Sequence, residues 1–404
     1  MRIALATPEY VTEDSCIGGL ANYMQRVAIS LSGMGHQPVV FVSANRNETA
    51  MLRGIEVHRV DIANRWLRLL SAATQYRLDM SLHIIAQARA LDRALLREHR
   101  RKPFDIVQYP HLAALGLYGP RDIPRVVRLS GYQPLWHGMG DGCTDRLQGR
   151  QQYFFEKRAL CRADHVFGPS RVIADYVSKD IGRPITVIES PFVVETERVN
   201  DRVYRDRLEG TDYLIFVGTL NMLKGIGVIA DMLRELLSDY PDLRFVFVGK
   251  NRRYTDARTT MDYIWEKAGT YRGRVLYLGV MTHEYLFQVL EHAVAAVLPS
   301  RIDNFPNTCL EAMGHGRMVI GTRGTSFEQL ITEGESGFLC RPDDPADLLR
   351  AVRKTLELAP EERERMGERA RRRADELRPE ETVGRLVEFY EKAIADHRGN
   401  GNDD

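Results

Sequence analysis

Glu311 sits in the stretch Cys309-Leu310-Glu311-Ala312-Met313, where an uncompensated carboxylate would be costly to bury, so it calls for a partner. Just upstream, Asn307 and Thr308 open a helix whose amides favour an anion. A carboxylate one turn further in can accept hydrogen bonds from hydroxyls beside that anion. A nucleotide has this layout, with its diphosphate next to its ribose. Asp303 is a second acid eight residues before Glu311, and Lys224, next to Gly225, is a cation able to neutralise a departing phosphate. The bland alternatives are a Glu311 that faces solvent on a half-buried helix and a Lys224 that is one more exposed loop lysine.

The elements that must position these groups can be read around them. Ala295 to Leu298 is a short apolar strand, broken by Pro299-Ser300 and a polar segment to Asn304. Pro306 suits the first turn of the following helix, Asn304 or Asn307 can cap it, and Gly314 and Gly316 end it before a strand at Met318–Thr322. The result is a β-α-β unit whose loop at the strand's carboxyl end is where such folds bind ligands. Tyr213 to Gly218 is a β-rich run followed by Thr219 to Gly225, which suits a diphosphate-binding loop. Arg244–Lys250, carrying Gly249, and Val275–Val280 are further strands. Nearer the N-terminus, Arg2–Thr7 is a strand and Gly18-Gly19 precedes a helical pattern of Leu20, Met24, Val27, Ala28 and Leu31; Pro38–Ser43 completes a Rossmann-like start. Asp105–Tyr109 and Arg125–Leu129 are strands ending in polar loops at one edge, with His111 after the first and Ser130 and Tyr132 after the second. The segment 133–150, with Trp136 and His137, reads as a loop that closes over a ligand or merely runs along the surface. Helices are expected at 153–162, 347–358, 360–378 and 383–394, and a disordered tail from Gly399.

Asp303 and Glu311 with Ala312-Met313, followed by Gly316, Val319-Ile320, Gly324, Glu328, Gly334, Gly337-Phe338-Leu339 and Asp343, resemble the signature of glycosyltransferase family 4. The resemblance covers nearly the whole chain. It implies a GT-B fold: an α/β protein with two Rossmann-like domains facing across a cleft, acceptor on the N-terminal half and nucleotide sugar on the C-terminal half. It implies retaining transfer from a nucleoside diphosphate sugar to a hydroxyl. Glu311 would bind the ribose, Asp303 would lie beside the donor sugar and Lys224 would hold the donor phosphates. Gly18 and Gly19, Gly218 and Thr219, Gly249, the backbone at Val280 and Met281, and Phe305, Asn307 and Thr308 would complete the donor site. His111, Ser130, Tyr132 and His137 would face the acceptor. No metal and no cofactor beyond the nucleotide sugar are implied. Three positions depart from the family pattern: Asp303 stands where Glu is usual, Thr219 where an Arg normally follows the glycine, and Ser130 where a His is common. Arg301 or Arg323 is a candidate for the missing second cation, and His111 or His137 for the missing imidazole.

A chain of 404 residues is too long for one core and suggests two domains. The expected boundaries are 1–190 for the acceptor domain, 191–375 for the nucleotide-sugar domain, and 376–404 for a helix packing back on the first domain, with the linker near Ser190–Asp201. A formal charge of +1 excludes a generally polyanion-seeking protein, so no nucleic-acid partner is expected. The N-terminus lacks a signal-peptide pattern and no apolar run approaches a membrane span, which places the chain in the cytoplasm. Five cysteines, odd in number and without C-x-x-C spacing, read as reduced thiols. Arg65–Lys102 carries nine Arg or Lys against Asp79, Asp92 and Glu98. It reads as a helix pair with a solvated basic face or, more sharply, as a peripheral contact to anionic membrane or a lipid-linked acceptor. The acceptor classes in view are a glycan, a lipid-linked glycan and a small metabolite, in polysaccharide, glycolipid or metabolite biosynthesis. The rivals are a catalytically weak nucleotide- or glycan-binding relative, motivated by the three joint departures, and a sugar-nucleotide epimerase or phosphorylase of the same fold.

Overall fold

The computed structural model describes every residue except 12–18, 64, 139–145, 195–199, 256 and 401–404, and the side chains of 65, 66, 68, 136–138 and 400. It divides into two compact units, Met1–Pro191 with Arg378–Asp404, and Phe192–Leu377.

The strands of the first unit are β1 (Arg2–Thr7), β2 (Gln37–Ala44), β3 (Glu48–Leu52), β4 (Ile55–Asp61), β5 (Ile106–Pro110), β6 (Arg125–Arg128), β7 (His165–Gly168) and β8 (Thr186–Val187), in the order β3-β4-β2-β1-β5-β6-β7-β8. All neighbours are parallel except β3, which returns antiparallel on β4. That hairpin has no counterpart in the sequence reading. Its helices are α1 (Gly19–Gly33), α2 (Arg65–Ala73), α3 (Asp79–Arg101), α4 (Gln133–Gly138), α5 (Arg146–Arg162) and α6 (Arg171–Ile181). The expected loop 133–150 is therefore helical at both ends. Ser170 caps α6 by accepting from the Ile173 amide, and Gly182 ends it in the left-handed conformation.

The second unit contains β9 (Tyr213–Val217), β10 (Arg244–Val248), a small hairpin of β11 (Arg253–Thr255) and β12 (Arg258–Thr259), then β13 (Val275–Tyr277), β14 (Ala295–Val297), β15 (Val319–Thr322) and β16 (Gly337–Cys340). Its parallel sheet runs β13-β10-β9-β14-β15-β16. Every residue of β9 is buried, as a strand covered on both faces requires, and Phe216, Phe245 and Phe247 fill the core beside it. The helices are α7 (Arg202–Arg207), α8 (Ile226–Asp239), α9 (Thr260–Ala268), α10 (His283–Glu291), α11 (Asn307–Gly314), α12 (Pro345–Glu357) and α13 (Pro360–Asp375). The chain then returns to the first unit as α14 (Pro379–Asn400), where Val383, Leu386, Phe389 and Tyr390 join a core containing Leu5, Val27 and Leu31. The Tyr390 hydroxyl donates to Gln108 Oε1 on β5 at 2.6 Å.

Both sheets reverse their strand progression once, between β1 and β5 and between β9 and β14. In open α/β sheets the carboxyl ends of the strands flanking such a reversal form a crevice, because the helices on either side go to opposite faces. Of the groups singled out by sequence, His111 follows β5, Lys224 follows β9, and Asp303 and Glu311 follow β14.

Two buried acids in the first unit, Asp92 and Glu156, are raised by burial to about 7 and set a pH dependence. Asp92 on α3 accepts from the Tyr109 hydroxyl on β5 at 2.7 Å, and burial pushes its carboxyl from the ordinary 3.8 to about 7. The folded state then holds a proton that the unfolded chain loses near pH 4, so stability falls as pH rises from about 4 through 7. Asp92→Asn is expected to reduce the decline of Tm between pH 5 and 8, part of which Glu156 keeps, with a gain at pH 8 on the order of 4 kcal/mol. A parallel decline in both proteins would remove Asp92 as its source.

Candidate active site

The turn after β9 and the loop after β14 are stitched together by backbone. The Arg301 amide donates to Leu223 O at 2.8 Å, and Gly225 passes so close to Pro299 that a Cβ on it would lie 1.9 Å from the Pro299 carbonyl oxygen. Gly225 also has φ +77°, a region other residues enter only with strain. Asn221 caps the short turn Met222–Lys224 through its side chain. These constraints bring Lys224 Nζ to 2.5 Å from Asp303 Oδ2, pairing residues 79 positions apart. The lysine side chain remains about one-third exposed and the Asp303 side chain 16% exposed, so the pair is partly open to solvent. The Ser326 hydroxyl donates to the Asp303 carbonyl and holds the loop from below. Gly225→Ala is expected to lower Tm by several degrees and to displace Lys224. Gly227→Ala, whose added Cβ meets only the flexible Met222 Sδ at 3.3 Å, should cost little by thermal denaturation.

The helix that follows, α11, starts at Asn307 with Pro306 as its N-cap, which corrects the expectation of an Asn cap. Proline offers no side-chain acceptor, and the first intrahelical bond is from the Cys309 amide to Pro306 O. The amides of Asn307 and Thr308 precede that bond and suit an anion. Phe305, nearly buried, anchors the approach in the core. One turn in, Glu311 is 9% exposed, which excludes the solvent-facing alternative. His283, the first residue of α10, places Nε2 at 3.7 Å from Glu311 Oε1 and stacks on Phe287 at 4.9 Å between ring centroids. Sequence reasoning passed over His283; its only signal was an imidazole two residues beyond the base-reading backbone expected at Val280–Met281.

The remaining donor-side positions gather at the same strand ends. The Gly218 amide donates to Val248 O, and a Cβ on Gly249 would come within 1.9 Å of Gly218 O, so a side chain at 249 would displace that strand end. Gly249 donates to Gly279 O, Tyr277 Oη donates back to Gly249 O at 2.9 Å, and Val280 is 73% exposed beyond them, with Met281 half-buried. Thr219 is half-buried at the end of β9. Arg301 and Arg323 are not idle cations: Arg301 pairs with Asp343 at 2.5 Å and Arg323 with Glu333 at 3.6 Å.

In the first unit, His111 and Ser130 follow β5 and β6 and meet. The Ser130 amide donates to His111 Nδ1 at 3.0 Å, and Arg128 Nη1 donates to the Ser130 hydroxyl. Arg128 is itself buried, stacked 3.6 Å from the Tyr23 ring centroid and bonded to Ser190. His111 is 3% exposed; burial and then the Arg128 charge push its imidazole down to about 3, and burial pushes Glu156, 3.8 Å away, up to about 7. The imidazole is thus neutral, and its observed work is to fix the Ser130 loop. Tyr132 is almost buried and donates its hydroxyl to Asp180, which also receives Tyr153 and Lys157. Gly19 opens α1. Gly18 and the His137 side chain lie outside the described residues. Among the described residues no three His, Cys, Asp or Glu side chains are grouped to hold a metal, and no helix is long and apolar enough to cross a membrane.

Comparison with known proteins gives one family match in each unit. Residues 18–189 match the family model described as glycosyl transferase 4-like domain, and residues 200–373 match glycosyl transferases group 1. Glycogen synthase of Mycobacterium tuberculosis is 25% identical over 380 residues, covering 88% of this chain and 86% of that protein. D-inositol 3-phosphate glycosyltransferase of Geodermatophilus obscurus is 27% identical over 62% of this chain and 57% of its own length. In fold, the chain is similar to sucrose-phosphate synthase of Thermosynechococcus elongatus, with a TM-score of 0.76 at 17% identity, covering 98% and 99% of the two chains.

Proposed function

This chain belongs to the group 1 glycosyltransferases and has the GT-B fold, and on that premise we propose that it moves a sugar from a nucleoside diphosphate sugar to a hydroxyl acceptor with retention at the anomeric carbon. The observation that carries the reading is the pairing of Lys224 with Asp303 in the loops that also position the start of α11, with Glu311 one turn beyond. In this reading the diphosphate lies against Lys224 and the amides of Asn307 and Thr308, and the ribose hydroxyls donate to Glu311. The bond from the anomeric carbon to the diphosphate oxygen breaks, and the bond to the acceptor oxygen forms. The acceptor's proton goes to the diphosphate oxygen released in the same step, the nearest base that the reaction itself generates. Charge develops on that oxygen, so preorganised cation and amide dipoles supply the main acceleration. Asp303 orients the lysine and lies beside the sugar. His283 and the backbone near Val280 and Met281 border the base and ribose.

Acceptor contacts are assigned to the first unit, with Ser130 and Tyr132 presenting groups whose geometry His111 and Asp180 fix. Relatives named for glycogen and for an inositol phosphate favour a glycan or polyol hydroxyl as the acceptor. The test is incubation with UDP-, GDP- and ADP-sugars and a panel of glycan, lipid-linked and small hydroxyl acceptors, following nucleoside diphosphate release and product mass. A product heavier than its acceptor by one sugar residue supports the reading. Thermal stabilisation by sugar nucleotides without any turnover would favour a binding protein instead.

A further inference from the structure

Helix α3 presents one face, residues 79, 82, 86, 90, 93, 97 and 100, to successive cavities in the first unit. The spacing follows the helical repeat, so these side chains fall in a single row. A cavity of about 370 Å³ at the carboxyl ends of β2 and β4 is lined by Ala44, Ile62, Leu67, Leu82 and Ala86, with Asp79, which accepts from the Ser71 hydroxyl, and His83 at its edge. One turn along α3, a second of about 450 Å³ is lined by Ala90, Arg93, Arg97 and Arg100 with Asn47 and Asp61. A third, of about 390 Å³, shares Asn47, Val60 and Arg97 with the second and adds Arg101. From Leu82 to Arg100 the row therefore changes from apolar to basic.

The arginines at the basic end have no ion pair or hydrogen bond to the described residues at positions 93, 97 and 100. Elsewhere on this surface charge is paired: Glu98 binds Arg2, and Glu48 binds Arg46 and Arg59. Asp61, the acid facing the three arginines, already accepts from the Ala63 amide at 2.8 Å. Three uncompensated guanidiniums, each about one turn from the next, are a match for the several oxygens of a phosphate group. From Leu82 to Arg93 the helix rises about 16 Å, the length of an extended chain of roughly a dozen carbons. Leu69, Leu70 and Leu78, all exposed, continue the apolar end onto α2 and the turn after it.

We propose that this face binds an amphiphilic phosphate, a single lipid whose phosphate rests among Arg93, Arg97 and Arg100 and whose prenyl or acyl chain lies over Leu67, Leu82 and Ala86. The inference stands on the first unit alone and uses none of the donor-side residues. The probe is farnesyl phosphate below its aggregation concentration, titrated calorimetrically into the full-length protein, with inorganic phosphate and farnesol as the two half-ligands. Farnesyl phosphate is expected to bind at least tenfold more tightly than either. Arg93→Gln/Arg97→Gln/Arg100→Gln and, separately, Ala86→Trp, which fills the apolar end, should each weaken it at least tenfold while leaving Tm and nucleotide-induced stabilisation unchanged. Binding no tighter than inorganic phosphate would reduce the row to a simple charged surface and overturn the proposal. So would undiminished binding in the triple variant or in Ala86→Trp.

Discussion

Replacing Lys224 with alanine is expected to lower the turnover of sugar transfer by about 10²- to 10³-fold, the range found when one preorganised group facing developing negative charge is removed. Folding should hardly change. The Lys224–Asp303 pair is partly exposed, and such pairs contribute only about 0–1 kcal/mol, equivalent to no more than about 3 °C in Tm for a protein of this size. The carboxylate left behind sharpens the prediction. Asp303 is 2.5 Å from the lysine in the intact site, so in Lys224→Ala it becomes an unpaired negative charge beside the diphosphate. Lys224→Ala/Asp303→Ala should then bind the sugar nucleotide more tightly than Lys224→Ala alone, even though both turn over slowly. Stopped-flow binding and nucleoside diphosphate release separate the two effects. Near-normal turnover in Lys224→Ala would remove it from the reaction.

Glu311→Ala should act on donor recognition. A hydrogen bond to a charged acceptor contributes roughly 1.5–3 kcal/mol, so losing a carboxylate that receives two ribose hydroxyls raises donor KM by at least about 10²-fold. The discriminating measurement uses a 2′-deoxyribonucleotide donor. The intact protein should prefer the ribonucleotide, and Glu311→Ala should not. Glu311→Gln keeps an acceptor oxygen and should fall between them. His283, 3.7 Å from the carboxylate, makes a second prediction of smaller size: His283→Phe preserves the stack on Phe287 but removes the polar contact, and should raise donor KM severalfold with kcat unchanged. A preference for the ribonucleotide that survives in Glu311→Ala would place the ribose elsewhere.

Much of the fold is legible in the chain because parallel strands buried on both faces are written as unbroken apolar runs, and glycine and proline punctuate their ends. Tyr213–Val217 and Arg244–Val248 are of this kind. The hairpin β3–β4 was missed although Glu48–Leu52 and Ile55–Asp61 lie either side of a two-residue Arg53-Gly54 turn. Its edge strand, Glu48-Thr49-Ala50-Met51-Leu52, is mostly exposed and has neither an unbroken apolar run nor a strict alternation to mark it. The glycines at 138, 140 and 142 suggest irregular backbone over 133–150, whereas residues 133–138 form α4, with Pro134 in its first turn. The candidate site divides similarly. Asp303 and Glu311 share a local stretch and could be read together. Their partners, Lys224 and His283, lie 79 and 28 positions away along the chain, and nothing in local spacing joins them.

The sequence by itself determined the two α/β units, the loop and helix that carry Asp303 and Glu311, and the glycines without which the loops could not approach one another. Tertiary structure decided which charges meet. Lys224 faces Asp303 because strands β9 and β14 are neighbours at the reversal of their sheet and Gly225 lets one loop touch the other at Pro299. His111, free on paper to serve an acceptor, is instead sealed neutral beneath Ser130 and Glu156. Local sequence fixes backbone preference and chemical inventory, but a charge's partner depends on distances between segments far apart in the chain, and only the packed sheet sets those.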